Sequence, residues 1–91
     1  MIYRVFLNGQ NFLINFDGEI KKVGFYTTRF VEADSMEKAE ENAVEVLRND
    51  DFLASAVLNE QNDSPAVFVE KISIEENEIT SNSGFSFYIE E

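Results

Sequence analysis

The sequence predicts an α+β fold in two layers, with a mostly antiparallel sheet and one main helix packed on one face, in the order β-β-β-α-(short α)-β-β. Two observations predict it. Five segments are rich in alternating apolar, β-branched and aromatic residues, and turn residues or loops separate most of them. One long segment has apolar residues at helical spacing instead. The 91 residues are predicted to form a single domain, 1–91.

The first two predicted strands are short. Residues 2–7 alternate, and the letters NGQN that follow them are typical of a tight turn. Residues 12–16 place their largest apolar side chains on one side, and Asp-Gly at 17–18 marks a second turn. We therefore expect a strand, a turn and then a hairpin.

The third predicted strand covers 19–33 and has apolar residues on both of its sides. A strand of this kind usually lies inside a sheet that is covered at least partly on both faces. We expect it to be central or to lie at an interface.

The main helix is predicted over about 35–48. Asp34 followed by Glu37 matches a capping box, and Ser35 is the alternative cap. Arg48 lies near the negative end of the helix dipole. The apolar residues at helical spacing are Met36, Ala39, Ala43, Val46 and Leu47.

The remaining segments are shorter. Residues 51–58 fit a short helix capped by Asp50, although their apolar run is also compatible with a buried strand. Residues 66–76 and 85–91 are predicted strands. Loops are predicted over 60–65 and 77–84.

Composition and charge exclude several functions. The chain has no His and no Cys, which removes the commonest general base, the commonest metal ligand and the thiol nucleophile. Its formal net charge is −11, which opposes binding to nucleic acid or to an anionic membrane. The four glycines form no phosphate-binding pattern. We therefore predict a non-catalytic protein with no cofactor and no metal, and the lack of Cys fits a cytoplasmic location.

Four consecutive residues form a candidate ligand-binding site: Tyr26, Thr27, Thr28 and Arg29. The guanidinium can grip a carboxylate or phosphate, and the neighbouring hydroxyls add hydrogen bonds. The structural alternative, which we favour, is an ion pair with a glutamate, for which the candidates are Glu70 and Glu32.

An acidic row on the main helix is a candidate partner-binding site. Glu37, Glu41 and Glu45 lie at i, i+4 and i+8, where like charges repel slightly. A basic protein partner would relieve that repulsion. The alternative, which we favour, is a solvated face.

The width of the sheet predicts a homodimer. Five strands about 4.8 Å apart span roughly 20 Å, whereas one helix covers about 10 Å. The short helix and a second copy of the chain are the candidates for covering the rest.

The letters GFYTTRFVEADSMEKAEENAV, with VEKI and the terminal GFSFYIEE, resemble a group of small bacterial proteins of unknown function. The resemblance covers residues 24–47, 66–74 and 84–91. It implies an independent domain and offers no catalytic residues. A weaker similarity in element order is to HicB-type antitoxin domains.

Three functions follow in order of preference. The first is a protein-interaction or binding module. The second is a small-ligand or anion-binding domain, with or without enzymatic activity, that uses Arg29 and its neighbouring hydroxyls. The third is a DNA mimic or antitoxin-like protein, which rests on the acidic charge and on that weaker similarity.

Overall fold

The computed structural model describes residues 1–16, 18–59, 63–76 and 84–90. Its elements in chain order are β1 (Ile2–Phe16), β2 (Glu19–Glu32), α1 (Met36–Arg48), α2 (Asp51–Ala56), β3 (Ala66–Ile74) and β4 (Ser86–Ile89). The strands form one antiparallel sheet in the order β3-β1-β2-β4. Both helices pack on the same face of the sheet, so the predicted two-layer α+β class is confirmed.

The first two predicted strands are one continuous strand, β1, so the turn predicted at NGQN is wrong. Gly9 pairs with Phe25 and Phe12 pairs with Val23, so β1 contains one more residue than β2 between these pairs. This extra residue makes a β-bulge. Asn11 has a φ of 63°, a left-handed conformation that asparagine tolerates better than most residues. The described chain therefore has four strands where the sequence predicts five.

The bulge keeps the apolar side chains of β1 on one face of the sheet. Alternation places odd-numbered residues on this face before the bulge and even-numbered residues after it. The buried apolar residues of β1 are Tyr3, Val5, Leu7, Phe12 and Ile14. Side chains from later in the sequence bind the bulge: Asn11 donates its backbone N–H to Glu90 Oε1 at 2.8 Å, and Asn59 Nδ2 donates to the Asn11 carbonyl at 2.9 Å.

The third predicted strand is confirmed as β2, and it lies inside the sheet between β1 and β4. The predicted strands over 66–76 and 85–91 correspond to β3 and β4. The predicted loops over 60–65 and 77–84 lie mostly outside the described residues.

Both predicted helices are present. Ser35 is the cap of α1, because its hydroxyl accepts from the backbone N–H of Lys38 at 3.1 Å. The prediction of Asp34 as the cap is therefore wrong, and the alternative is right. Asp50 caps α2 as predicted, since its Oδ1 accepts from the backbone N–H of Leu53 at 3.1 Å.

The two faces of the sheet differ in what lies over them. We call the face beneath α1 and α2 the covered face, and its buried cluster includes Phe25, Ala39, Ala43, Leu47 and Leu53. We call the opposite face, which neither helix covers, the open face. Its central side chains are Arg4, Phe6, Asn8, Tyr26, Thr28, Phe30, Phe68, Lys71 and Ser73. Neither helix in the described part of the chain is long and apolar enough to cross a membrane.

Candidate functional site

The four residues of the predicted ligand site lie on β2, and alternation divides them between the two faces. Thr27 and Arg29 are buried on the covered face. Tyr26 and Thr28 point to the open face, where Tyr26 is 41% exposed. The structure therefore does not bring these four side chains together.

The Arg29 guanidinium is fully buried, and its contacts come from three parts of the chain. Its Nη2 lies 3.5 Å from Asp50 Oδ2, and its Cζ lies 4.9 Å from the centre of the Phe85 ring. Nη1 donates to the carbonyls of Thr28 and Gly84 at 3.3 and 3.4 Å. Within the described residues, Nε and Nη2 make no hydrogen bond, so the contact with Asp50 is mainly ionic.

These contacts correct the expected partners of Arg29, which were Glu70 and Glu32. Burial lowers the pKa of Arg29, and the Asp50 carboxylate acts in the opposite direction. An arginine keeps its charge at neutral pH even so. The side chain joins β2 to the start of α2 and to the residues just before β4, which is a structural role.

Thr27 reinforces the same junction. Its hydroxyl donates to the Gly84 carbonyl at 2.6 Å, so Thr27 and Arg29 share one acceptor. Thr27 and Arg29 thus both contact partners inside the molecule.

The open face presents its central side chains in three rows that cross β2, β1 and β3. The rows, each read in that strand order, are Phe30, Arg4 and Ser73; Thr28, Phe6 and Lys71; and Tyr26, Asn8 and Phe68. Residues directly opposite each other in antiparallel strands have Cβ atoms about 5 Å apart, so each row is a line of touching neighbours.

Aromatic rings cover much of this face. The rings of Phe6 and Tyr26 are stacked, with centroids 5.4 Å apart. The ring of Tyr88, on β4, has its centroid 5.5 Å from that of Tyr26. Phe6 is 36% exposed and Phe68 is 48% exposed. Beneath the rings, the buried Asn8 side chain donates to the Phe25 carbonyl at 3.0 Å and to the Tyr88 hydroxyl at 2.9 Å. These two contacts tie the layer of rings to the sheet.

Two concavities lie side by side on the open face. One has a volume of about 490 Å³, and its lining residues include Arg4, Phe6, Tyr26, Thr28 and Phe30 together with the stretch 84–86. The other has a volume of about 320 Å³ and is lined by Arg4, Phe6, Thr28, Lys71 and Ser73. Both are open depressions of a size that suits a side chain or a small ligand.

The open face also carries cationic side chains. Of the seven cationic residues in the chain, the strand alternation places Arg4, Lys22 and Lys71 on this face. Arg4 Nε lies 3.2 Å from Glu75 Oε2, whereas Lys71 makes no ion pair in the described part of the chain. In a chain with a net charge of −11, this is a local departure from the acidic surface.

The predicted acidic row lies on the solvent side of α1. Glu37, Glu41 and Glu45 line one shallow groove of about 560 Å³, together with Glu40, Val44 and Arg48. Glu41 lies 3.3 Å from Lys38 Nζ and Glu45 lies 3.1 Å from Arg48 Nη1. Two of the three predicted carboxylates are thus neutralised within their own helix.

Sequence reasoning missed the residues of β1 and β3 that complete the open face. The alternation of residues 2–7 already separates Arg4 and Phe6 from the apolar side, and this was the available signal. Lys71 carries no such signal, because only strand pairing brings it next to Phe6. Among the described residues, no three Asp or Glu side chains converge in a way that could hold a metal ion.

No protein-family model matches the chain, and neither the curated proteins nor the solved structures yielded a match. The resemblance to small bacterial proteins, the similarity to HicB-type domains and the cytoplasmic location therefore stay predictions from the sequence.

Proposed function

We propose that this protein is a non-catalytic interaction module that forms a homodimer through the open face of its sheet. The observation that carries the proposal is the aromatic surface on that face, where Phe6, Tyr26 and Phe68 stand exposed around cationic side chains. Monomeric proteins rarely expose contiguous apolar patches of this kind unless the patch binds something.

The size of the open face fits a second copy of the chain. The four strands contain 15, 14, 9 and 4 residues. With strands about 4.8 Å apart and a rise of about 3.3 Å per residue, they make a flat area on the order of 650 Å², before the relief of the side chains is counted. A stable pair buries about 800 Å² on each partner. A chain of this length also buries a smaller share of its surface than a larger domain does, so self-association would add to its stability.

Electrostatics favours the same face. Two copies with a net charge of −11 each repel one another, and contact costs least where the negative charge is lowest. Arg4, Lys22 and Lys71 lie on the open face, whereas Glu37, Glu41 and Glu45 lie on the helical side of the molecule. A pair joined by its open faces keeps its acidic helices apart.

Molar mass by light scattering, measured from micromolar to near-millimolar concentration, tests this proposal. We expect a dimer for the native chain and a monomer for the double variant Tyr26→Ser with Phe68→Ser. Val46→Ser is the matched control, because Val46 is 36% exposed on α1 and lies away from the open face. A native chain that stays monomeric throughout, or a dimer that only Val46→Ser dissociates, would contradict the proposal.

A further inference from the structure

We propose that Arg4 and Lys71, with the hydroxyls of Thr28 and Ser73, form a binding site for an oxyanion on the open face. The ligand class is a carboxylate or a phosphate. The site goes beyond the proposed homodimer and does not depend on it, because a single chain supplies all four side chains.

The geometry brings the two cations to one place. Arg4 and Lys71 lie on neighbouring strands in adjacent rows, a diagonal relation in which Cα atoms are about 7 to 8 Å apart. Both line the concavity of about 320 Å³ described above, and Phe6 lies in the same concavity. Two long cationic side chains at this separation can reach a common anion.

An ion pair positions the Arg4 side chain but occupies only one of its three guanidinium nitrogens. Its Nε contacts Glu75 Oε2 at 3.2 Å, and the Glu75 side chain is only 8% exposed. In the described part of the chain, the terminal Nη1 and Nη2 groups of Arg4 have no partner. The ion pair therefore orients the side chain and leaves two nitrogens to donate to an oxyanion.

The other polar groups of the concavity are available as well. Lys71 is exposed, and no ion pair within the described residues occupies its ammonium group. Thr28 and Ser73 are half-buried, and neither hydroxyl makes a hydrogen bond there. Hydroxyls can donate to an oxyanion and so complete its hydrogen bonds between the two cations.

The net charge of the chain limits the affinity of the site for a free anion. The net charge of −11 opposes the approach of any anion, although salt at physiological strength screens charges more than about 8 Å away. A free oxyanion and a carboxylate side chain on a second copy of the chain offer the same chemistry. Both sources place negative oxygen atoms between Arg4 and Lys71.

The test is a titration with inorganic phosphate against chloride at equal ionic strength, followed by amide chemical shifts in NMR spectra. We expect saturable shifts centred on Arg4, Phe6 and Lys71, and about tenfold weaker binding for Lys71→Gln. Lys71 makes no ion pair within the described chain, so this variant is expected to fold. Lys22→Gln is the matched control, because it removes the same charge from the same face outside the concavity.

The molar mass of the same samples separates this inference from the proposed dimer. Phosphate binding by a chain that is already monomeric before phosphate is added supports the oxyanion site and refutes the homodimer. A second outcome is a dimer that does not bind phosphate and that dissociates more readily in Lys71→Gln but not in Lys22→Gln. This outcome supports the site, with a carboxylate of the second copy as its ligand. A dimer that neither phosphate nor Lys71→Gln affects overturns the site and leaves the homodimer standing. Equal weakening of phosphate binding by Lys71→Gln and Lys22→Gln also overturns it, because general charge attraction would then explain the binding.

Discussion

The two faces of β2 use neighbouring residues in opposite ways. Phe25 is fully buried on the covered face, and Tyr26, the next residue, is 41% exposed on the open face. The Phe25 ring contacts Phe12, Phe85 and other core rings, whereas the Tyr26 ring stacks on Phe6 at the surface. Alternation along one strand thus buries the side chains of one face in the core and leaves large side chains of the other face at the surface.

The cationic side chains of the two faces also differ in their contacts. Arg29 is surrounded by Asp50, Phe85 and backbone carbonyls, so its charge serves to join elements of the fold. Arg4 keeps its terminal nitrogens without a partner in the described chain, and Lys71 is exposed. Four pairs of substitutions follow, in order of decreasing expected effect. The first and third pairs compare the two faces, the second tests the ion pair of Arg29, and the fourth tests the cap of the helix that covers the sheet.

Phe25→Ala is expected to lower the free energy of unfolding by about 3 to 5 kcal/mol, because it removes a buried ring and leaves a cavity. Tyr26→Ala is expected to cost about 1 kcal/mol, since it removes an exposed ring contact. Urea denaturation at one protein concentration measures both. Similar losses for the two variants would show that the open face contributes to stability as much as the covered face does.

Asp50→Ala is expected to lower the free energy of unfolding by about 2 to 4 kcal/mol, because Arg29 is left buried without its counter-charge and α2 loses its cap. Asp50→Asn keeps a capping oxygen and removes the charge alone, so we expect it to cost about 1 kcal/mol less. Urea denaturation again gives both values. If Asp50→Asn is as stable as the native chain, the ion pair adds nothing and the cap explains the whole effect.

Gly9→Ala is expected to cost about 1 to 3 kcal/mol, because the added methyl group would overlap the buried rings of Phe25 and Phe12. Gly24→Ala on the open face is the control. Its methyl group would meet the end of the Tyr88 side chain, which would have to turn away and give up its hydrogen bond with Asn8, so we expect a loss of about 1 kcal/mol. Thermal unfolding followed by circular dichroism compares the two variants, and the reverse order would mean that Tyr88 is packed as rigidly as the core.

Ser35→Ala is expected to cost about 1 kcal/mol by removing the cap of α1, the helix that forms most of the cover. Asp34→Ala is expected to stay within about 0.5 kcal/mol of the native chain, because Asp34 is exposed and does not cap the helix. Both follow from denaturation curves. A larger loss of stability for Asp34→Ala than for Ser35→Ala would show that Asp34 caps the helix.

The sequence predicts those parts of the fold that depend on local pattern. The helix over 35–48 and the two-sided strand over 19–33 follow from the spacing of apolar residues, and both are confirmed. The letters NGQN misled because asparagine and glycine suit a bulge as well as a turn. Only the pairing of β1 with β2 on both sides of Asn11 distinguishes the two.

The candidate sites depend on contacts between distant parts of the chain. The row of Glu37, Glu41 and Glu45 was visible at helical spacing, and the structure places all three along one groove. The partner of Arg29 was not visible, because Asp50 reaches it only when α2 packs on the sheet. The meeting of Arg4 with Lys71 likewise requires β3 to pair with β1.

The central position of β1 governs the order in which the chain completes its fold during synthesis. β1 and β2 are adjacent in sequence and can pair as soon as residue 32 is available, but Tyr3 pairs with Ile74 and Val23 pairs with Ile89. Both outer strands therefore come from the last third of the chain. A ribosome that has released only the first half of the sequence leaves a hairpin with two unpaired edges, which is the arrangement most open to pairing with other chains. Pairing of β3 and β4 thus covers the edges of β1 and β2 only after most of the chain has been synthesised.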